Sequence, residues 1–334
     1  MISSFDPLTS SRSRRPLLAY LRLALTLLAL LLTTAGSGAQ TLLHPQTQQR
    51  FAVMGQGEPT VVVLYGLASS MQEWMPTVRR IAAQTRVFIY ERRGYGRSTV
   101  LGSSRGSAVI VEELDHLLDH LNLDGPFVLV GHSLGAVYAQ AYARTHPDQT
   151  AGVLLVDPSV EQLDRFMMGE EDETLMPPMT LLMNRGAKAE YRGRRLAITE
   201  RDAADPLLAE IPVTVLSAGN NMNGGYSELQ EQVTNLQAMM TLESDLGRHI
   251  VVENAGHSLH REAPHAVELE VARLVALARA DGRFDLNEGS SRATDEGSSR
   301  STDDGSSRST DEGSSRSTDE GSSRSTENGQ AETK

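Results

Sequence analysis

The chain has no cysteine in its 334 residues, which excludes a thiol nucleophile, a disulfide framework and any thiolate metal site. Positive charge is in short supply: 31 Lys and Arg face 43 Asp and Glu, a net of −12. That balance argues against nucleic acid as a partner, because phosphate binding draws its affinity from clustered Lys and Arg. Large apolar side chains disappear altogether after Leu286. From Glu288 onward Gly-Ser-Ser-Arg recurs every eight residues, starting at 289, 297, 305, 313 and 321, and nothing in these octads offsets the entropy of ordering the chain. Residues 281–334 therefore read as a disordered octad-repeat tail.

What is present divides into three unlike regions. At roughly 150 residues per domain the length allows about two domains, but the first 39 residues have another pattern. Arg12-Ser-Arg-Arg15 precedes a leucine-rich run broken by Arg22, then small residues to Ala39. That is the order of a secretory signal cut after Ala39, and Ser13 to Leu18 looks like a twin-arginine export motif. The rival reading is a signal anchor over residues 17–35, long enough to span a bilayer if retained. Either way the chain is expected outside the cytoplasm, periplasmic or extracellular, with membrane contact only through the anchor. The tail carries a net charge of −6 and the first 39 residues +3, so the body, 40–280, carries −9. An exported body without disulfides has to be stabilised by its core.

Within that body, short apolar runs alternate with helix-patterned segments. The runs are Thr60–Tyr65, Arg86–Tyr90, Phe127–Val130, Gly152–Val156, Val213–Leu216 and His249–Val252. Continuous apolar runs mark strands covered on both faces. Between them, residues 73–83, 108–121, 134–145, 226–240 and 264–280 have apolar positions at three- and four-residue spacing. The alternation predicts an α/β fold, a mostly parallel, doubly wound sheet with ligands at the carboxyl ends of its strands. The stretch of about 159–210 lacks a strand and contains Met167, Met168, Met176, Met179 and Met183, which predicts a small helical insertion capping a pocket.

Gly131-His-Ser133-Leu-Gly135 follows the Phe127 run and opens the 134–145 helix. In strand–turn–helix context G-x-S-x-G is a nucleophile elbow: Ser133 sits on a strained turn, and Gly131 and Gly135 flank it because side chains there would clash. A serine hydroxyl needs a base. Of nine histidines, His257 is best placed, in a turn after the last strand. His260 and His265 are fallbacks expected to be exposed or capping, His132 reads as structural, and His116 with His120 has zinc-ligand spacing without an evident third ligand.

Taken together, residues 49–279 resemble the α/β-hydrolase superfamily. Gly55-Gln-Gly-Glu-Pro59, Tyr65-Gly-Leu67, Glu91-Arg-Arg-Gly-Tyr-Gly-Arg-Ser98, the elbow and Gly256-His257 stand in that family's order. The resemblance implies that the N–H groups of Leu67 and Leu134 form an oxyanion hole. Tyr65 replaces the family's usual histidine, and Glu91 its usual aspartate. The triad acid is also displaced, because the loop Ser217–Gly225 contains no carboxylate. Some relatives, certain haloalkane dehalogenases among them, take the acid from the end of the sixth strand, where Asp157 stands here. A turn or capping role is the alternative for Asp157, with Asn221, Asn223 or Glu253 as other orienters of His257.

The expectation is a carboxylesterase-like serine hydrolase acting on a small ester, thioester or lactone, without metal or organic cofactor. Serine at the elbow disfavours the family's dehalogenase and epoxide-hydrolase branches, which use aspartate there. Two alternatives stay open: a catalytically weak binding protein of the same fold, and an acyltransferase or haloperoxidase-like use of the same triad.

Overall fold

A computed structural model describes residues 41–96, 98, 105–168, 178–203, 208, 210–220 and 227–282. Residues 1–40 and 283–334, with the expected export segment and the octad repeats, lie outside them, as do Met176, Asn221 and Asn223. Eight strands form one sheet: β1 (Leu42–Leu43), β2 (Arg50–Met54), β3 (Val61–Leu64), β4 (Val87–Tyr90), β5 (Phe127–His132), β6 (Thr150–Val156), β7 (Val213–Ala218) and β8 (Arg248–Val252). Their order is 1-2-4-3-5-6-7-8, antiparallel at β1–β2 and β2–β4 and parallel from β4 onward.

All six runs read as strands are strands; β1 and β2 are additions to that reading. Arg50-Phe-Ala-Val-Met54 lacks a continuous apolar run because only Phe51 and Ala52 are buried, as suits a strand near the sheet's edge.

The sheet is covered on both sides. In β3, Val62 and Leu64 face one core while Val61 and Val63 face the other, the two-residue period of a strand buried on both faces. The first core takes α2 (Ser107–His120), α3 (Leu134–Thr145) and α6 (Ser227–Met239). The second takes α1 (Met71–Ile81), the short α7 (Leu259–Glu262) and α8 (Pro264–Ala280). Between β6 and β7 the insertion contains α4 (Glu161–Met168), a 3₁₀ turn at Pro178–Leu182 and the 19-residue α5 (Arg185–Ala203).

Glycine seats α5 against the body. A Cβ at Gly193 would lie 2.3 Å from the Arg105 carbonyl oxygen, and one at Gly186 would lie 2.7 Å from that of Arg93. Backbone hydrogen bonds at the same places join Gly186 N–H to Gly94 O (3.0 Å) and Arg105 N–H to Ala189 O (3.1 Å). Alanine normally stabilises a helix relative to glycine by about 1 kcal/mol. At Gly193 the backbone clash should outweigh that gain, destabilising the fold by about 1–3 kcal/mol. The expected result for Gly193→Ala is a lowered urea midpoint, with exposed Leu196→Ala unchanged. A raised midpoint for Gly193→Ala would contradict this seating of α5.

Candidate active site

The turn from β5 into α3 is made at one residue. Ser133 has φ 54° and ψ −122°, a left-handed backbone that a side chain disfavours. Neighbours hold it there: its N–H donates to Val156 O (3.1 Å), and its carbonyl accepts from Ala136 N–H (3.0 Å) and Ser159 N–H (3.3 Å). The flanking glycines are sterically required. A Cβ at Gly131 would lie 2.5 Å from Ala136 Cα, and one at Gly135 would lie 2.1 Å from Leu64 O. The serine is thereby pressed against the turn after β3, where a Cβ at Gly66 would stand 3.0 Å from Ser133 Cβ.

Among the described residues no hydrogen bond is made by the N–H groups of Leu67, in the turn after β3, or of Leu134. Leu134 is the first residue of α3, whose N-terminus favours negative charge. These are the two donors that the family resemblance implies.

Asp157 follows β6 directly, also at positive φ (42°). Its N–H donates to Leu216 O at 2.6 Å. Its carboxylate is fully buried; Oδ1 accepts from Ala218 N–H (3.1 Å) and Gln237 Nε2 (3.1 Å), leaving Oδ2 2.6 Å from His257 Nδ1. The β7 loop without a carboxylate thus supplies a backbone donor to the acid instead of an acid of its own. With Nδ1–H donating to the carboxylate, His257 Nε2 is left as the accepting nitrogen. The ring is half exposed.

One contact is missing. Ser133 Oγ makes its hydrogen bond to Ser159 Oγ, at 3.4 Å, and among the described residues none forms between Ser133 Oγ and His257 Nε2. Nucleophile–base contacts of this kind are often long before substrate arrives. Asp157 and His257 are therefore brought together, and Ser133 stands beside them with its hydroxyl turned to Ser159.

Residues 59–190 match the family described as alpha/beta hydrolase fold. The chain has the α/β-hydrolase fold. It is similar to the uncharacterized protein YqjL of Bacillus subtilis, 27% identical over 217 residues that cover 65% of this chain and 83% of that one. Epoxide hydrolase B of Mycobacterium tuberculosis is 35% identical over 102 residues, 30% of this chain and only 28% of the relative. Two further curated relatives are spanned over 14% and 61% of their length. A thermophilic esterase from Thermogutta terrifontis, in a malate-bound structure, superimposes with a TM-score of 0.54 at 21% identity, covering 72% of this chain and 97% of that one. At that identity the likeness is one of fold.

The remaining histidines of this α/β-hydrolase fold have other places. His265 is exposed beside Glu268, and His120 packs edge-on against His44, ring centroids 4.2 Å apart. Among the described residues no group of three or more His, Asp or Glu is arranged to hold a metal. His260, expected at the surface, is buried and stacked on Trp74 at 4.4 Å. His132 is buried between them and the base, 4.7 Å from the His257 ring and 5.1 Å from His260. Its Nε2 lies 2.9 Å from the His257 carbonyl oxygen, so the neutral ring donates there and holds the base's loop against the elbow. Gln237, Ser159 and His132 are site residues that motif reading missed or left without a role. Ser159, two residues past Asp157, and His132, inside the elbow motif, have positional signals, and Gln237 has none.

Burial, reinforced by the charges of His257 and His260, pushes His132 down to about 3, and burial pushes His260 down to about 4. An unfolded histidine titrates near about 6.5. Between those values the unfolded chain binds more protons than the folded one, so stability is complete above about pH 6.5 and is lost as pH falls toward 4. Each histidine contributes a slope approaching about 1.4 kcal/mol per pH unit. The urea midpoint should fall between pH 7 and pH 5, and His260→Phe, which retains a ring over Trp74, should flatten that fall. A wild-type midpoint constant across this window would contradict burial of the two rings as neutral groups.

Proposed function

We propose that this chain is a serine hydrolase that cleaves a small ester, thioester or lactone through an acyl-enzyme. The observation that carries the reading is the 2.6 Å hydrogen bond from His257 Nδ1 to buried Asp157 Oδ2 beside a serine held at positive φ. Ser133 Oγ attacks the acyl carbon as its proton passes to His257 Nε2, and the carbonyl oxygen becomes an oxyanion facing Leu67 and Leu134 N–H. Collapse breaks the bond to the leaving group, which takes the proton back from His257. Water, deprotonated by His257, then attacks the acyl-enzyme, releasing the acid and restoring the Ser133 hydroxyl. Asp157 holds the Nδ1–H tautomer and stabilises the imidazolium. The acyl substrate is the expected small-molecule partner.

The similarity to an epoxide hydrolase does not redirect this reading, because Ser133 occupies the elbow where that branch resembles an aspartate enzyme. A second reading, a hydrolase-fold binding protein with little turnover, draws on the Ser133–Ser159 hydroxyl contact. Export is the proposed location, supported by the signal-like order of residues 1–39. No helix among the described residues is long and apolar enough to cross a membrane. An N-terminus beginning at Gln40 in protein from the producing cell would support cleavage, and an intact Met1 would favour the anchor.

A panel of short-chain nitrophenyl esters tests the chemistry on the full chain. Ser133→Ala should abolish turnover, and Asp157→Asn should lower kcat by about 10³–10⁴-fold by removing the acceptor for the Nδ1–H tautomer. Equal turnover by wild type and Ser133→Ala would overturn the enzymatic reading. Near-full activity in Asp157→Asn would overturn the acid assignment.

A further inference from the structure

Arg92 and Glu190 form an ion pair sealed from solvent, with side chains 1% and 0% exposed. Arg92 Nε lies 2.7 Å from Glu190 Oε1 and Nη2 lies 2.9 Å from Oε2, a bidentate fork. Burying such a pair is weak evidence for stability, because the desolvation penalty rivals the attraction and apolar replacements of both partners are often as stable. What distinguishes this pair is where its other donors go. Nη1 donates to Tyr65 O at 2.6 Å and Nη2 to Gly66 O at 3.1 Å, the two carbonyls that precede the oxyanion donor. The guanidinium also lies among the rings of Tyr65, Tyr95 and Tyr138, 4.8, 5.0 and 5.5 Å from their centroids.

Gly66 C=O and Leu67 N–H are opposite ends of one planar trans peptide, so they point in opposite directions. A cation that holds the carbonyl end therefore aims the N–H end away from itself. Glycine at 66 leaves the backbone free to rotate that plane unless something fixes it; the Ser69 N–H also reaches Gly66 O, but at 3.4 Å. The next peptide is fixed too: Ala68 N–H donates to the Tyr95 hydroxyl at 3.2 Å, and that hydroxyl donates to Glu190 Oε2 at 2.8 Å. Burial and the Glu190 charge raise Tyr95 above its ordinary pKa, keeping it a donor. Both peptides flanking Leu67 are thus clamped by groups that converge on one carboxylate, and that carboxylate belongs to α5 of the insertion.

We propose that Arg92 and Glu190 are positioning residues for the oxyanion turn, so that the insertion helix α5 sets the direction of the Leu67 N–H. The inference rests on the serine-hydrolase reading for its kinetic consequence, but its geometric claim stands separately. The test uses the full-length chain with Arg92→Met/Glu190→Met, which removes both charges together and keeps similar volume, and with p-nitrophenyl butyrate as substrate. The double variant should retain a cooperative melting transition. Its kcat should fall by about 10²–10³-fold, the loss typical of one oxyanion donor, with KM within about three-fold because uniform binding is untouched. Arg92→Lys should not restore kcat, since a point-charge ammonium cannot hold both carbonyls and both carboxylate oxygens.

A second readout does not need activity. Residue-resolved hydrogen exchange at Leu67 and Ala68 should accelerate at least about ten-fold in the double variant, with residues 61–64 of β3 unchanged. A folded double variant with wild-type kcat, or with unchanged exchange at 67 and 68, would overturn the proposal. A wild type without esterase turnover would instead count against the serine-hydrolase reading, and the exchange measurement would still decide this one.

Discussion

The chain has to reverse from β5 into α3 at Ser133, and that residue's left-handed backbone constrains everything around it. No side chain fits at 131 or 135, so the elbow can sit directly on the carbonyl of Leu64 and bring α3 against the end of β3. That contact sets Ser133 beside the turn containing Leu67. The strain at Ser133, of order 1–3 kcal/mol for such a conformation, is sustained by three backbone hydrogen bonds, two reaching β6 and Ser159 beyond it and one from Ala136 in the first turn of α3.

Asp157 and His257 meet at the same junction. β6 ends in a second residue at positive φ, Asp157, and the hydrogen bond from its own N–H to β7 turns the carboxylate toward the strand ends. Ala218 and Gln237 then occupy one carboxylate oxygen, leaving the other for His257. Behind His257, His132 of the elbow donates to the His257 carbonyl, so the residue preceding Ser133 also steadies the His257 loop. The insertion joins this arrangement through Glu190, whose carboxylate ties Arg92 and Tyr95 to the oxyanion turn. Tyr65, which replaces the family's usual histidine, supplies one of the rings packed around that arginine.

How much could be read from residues alone follows from how local each signal is. The elbow, the six strands β3 to β8 and the five longer helices of the α/β alternation were legible because each is a continuous pattern. The pairing of Asp157 with His257 required the absence of a carboxylate after β7, a weaker kind of signal, and the geometry brings those two together. β1 and β2 escaped because neither has a continuous buried run: β1 is exposed, and only Phe51 and Ala52 of β2 are buried. The insertion was read as helical, but the span of α5 was not, because Arg185-Gly-Ala-Lys-Ala-Glu190 buries small residues and one carboxylate instead of a row of large apolar side chains. His260, expected to be exposed or capping, is buried because it stacks on Trp74, far away in the chain. Gln237 and Glu190 act on the site from 80 and 98 residues away from their partners, so no motif window contains both ends of either interaction.

The central claim is that Ser133 becomes a nucleophile through His257. Its most direct measurement is labelling of the full-length chain with a fluorophosphonate probe, followed by peptide mass spectrometry of wild type and His257→Ala. A single adduct on Ser133 in the wild type, absent from the folded His257→Ala protein, is the expected result. No adduct on the folded wild type, an adduct on another residue, or equal labelling of Ser133 without His257 would contradict it.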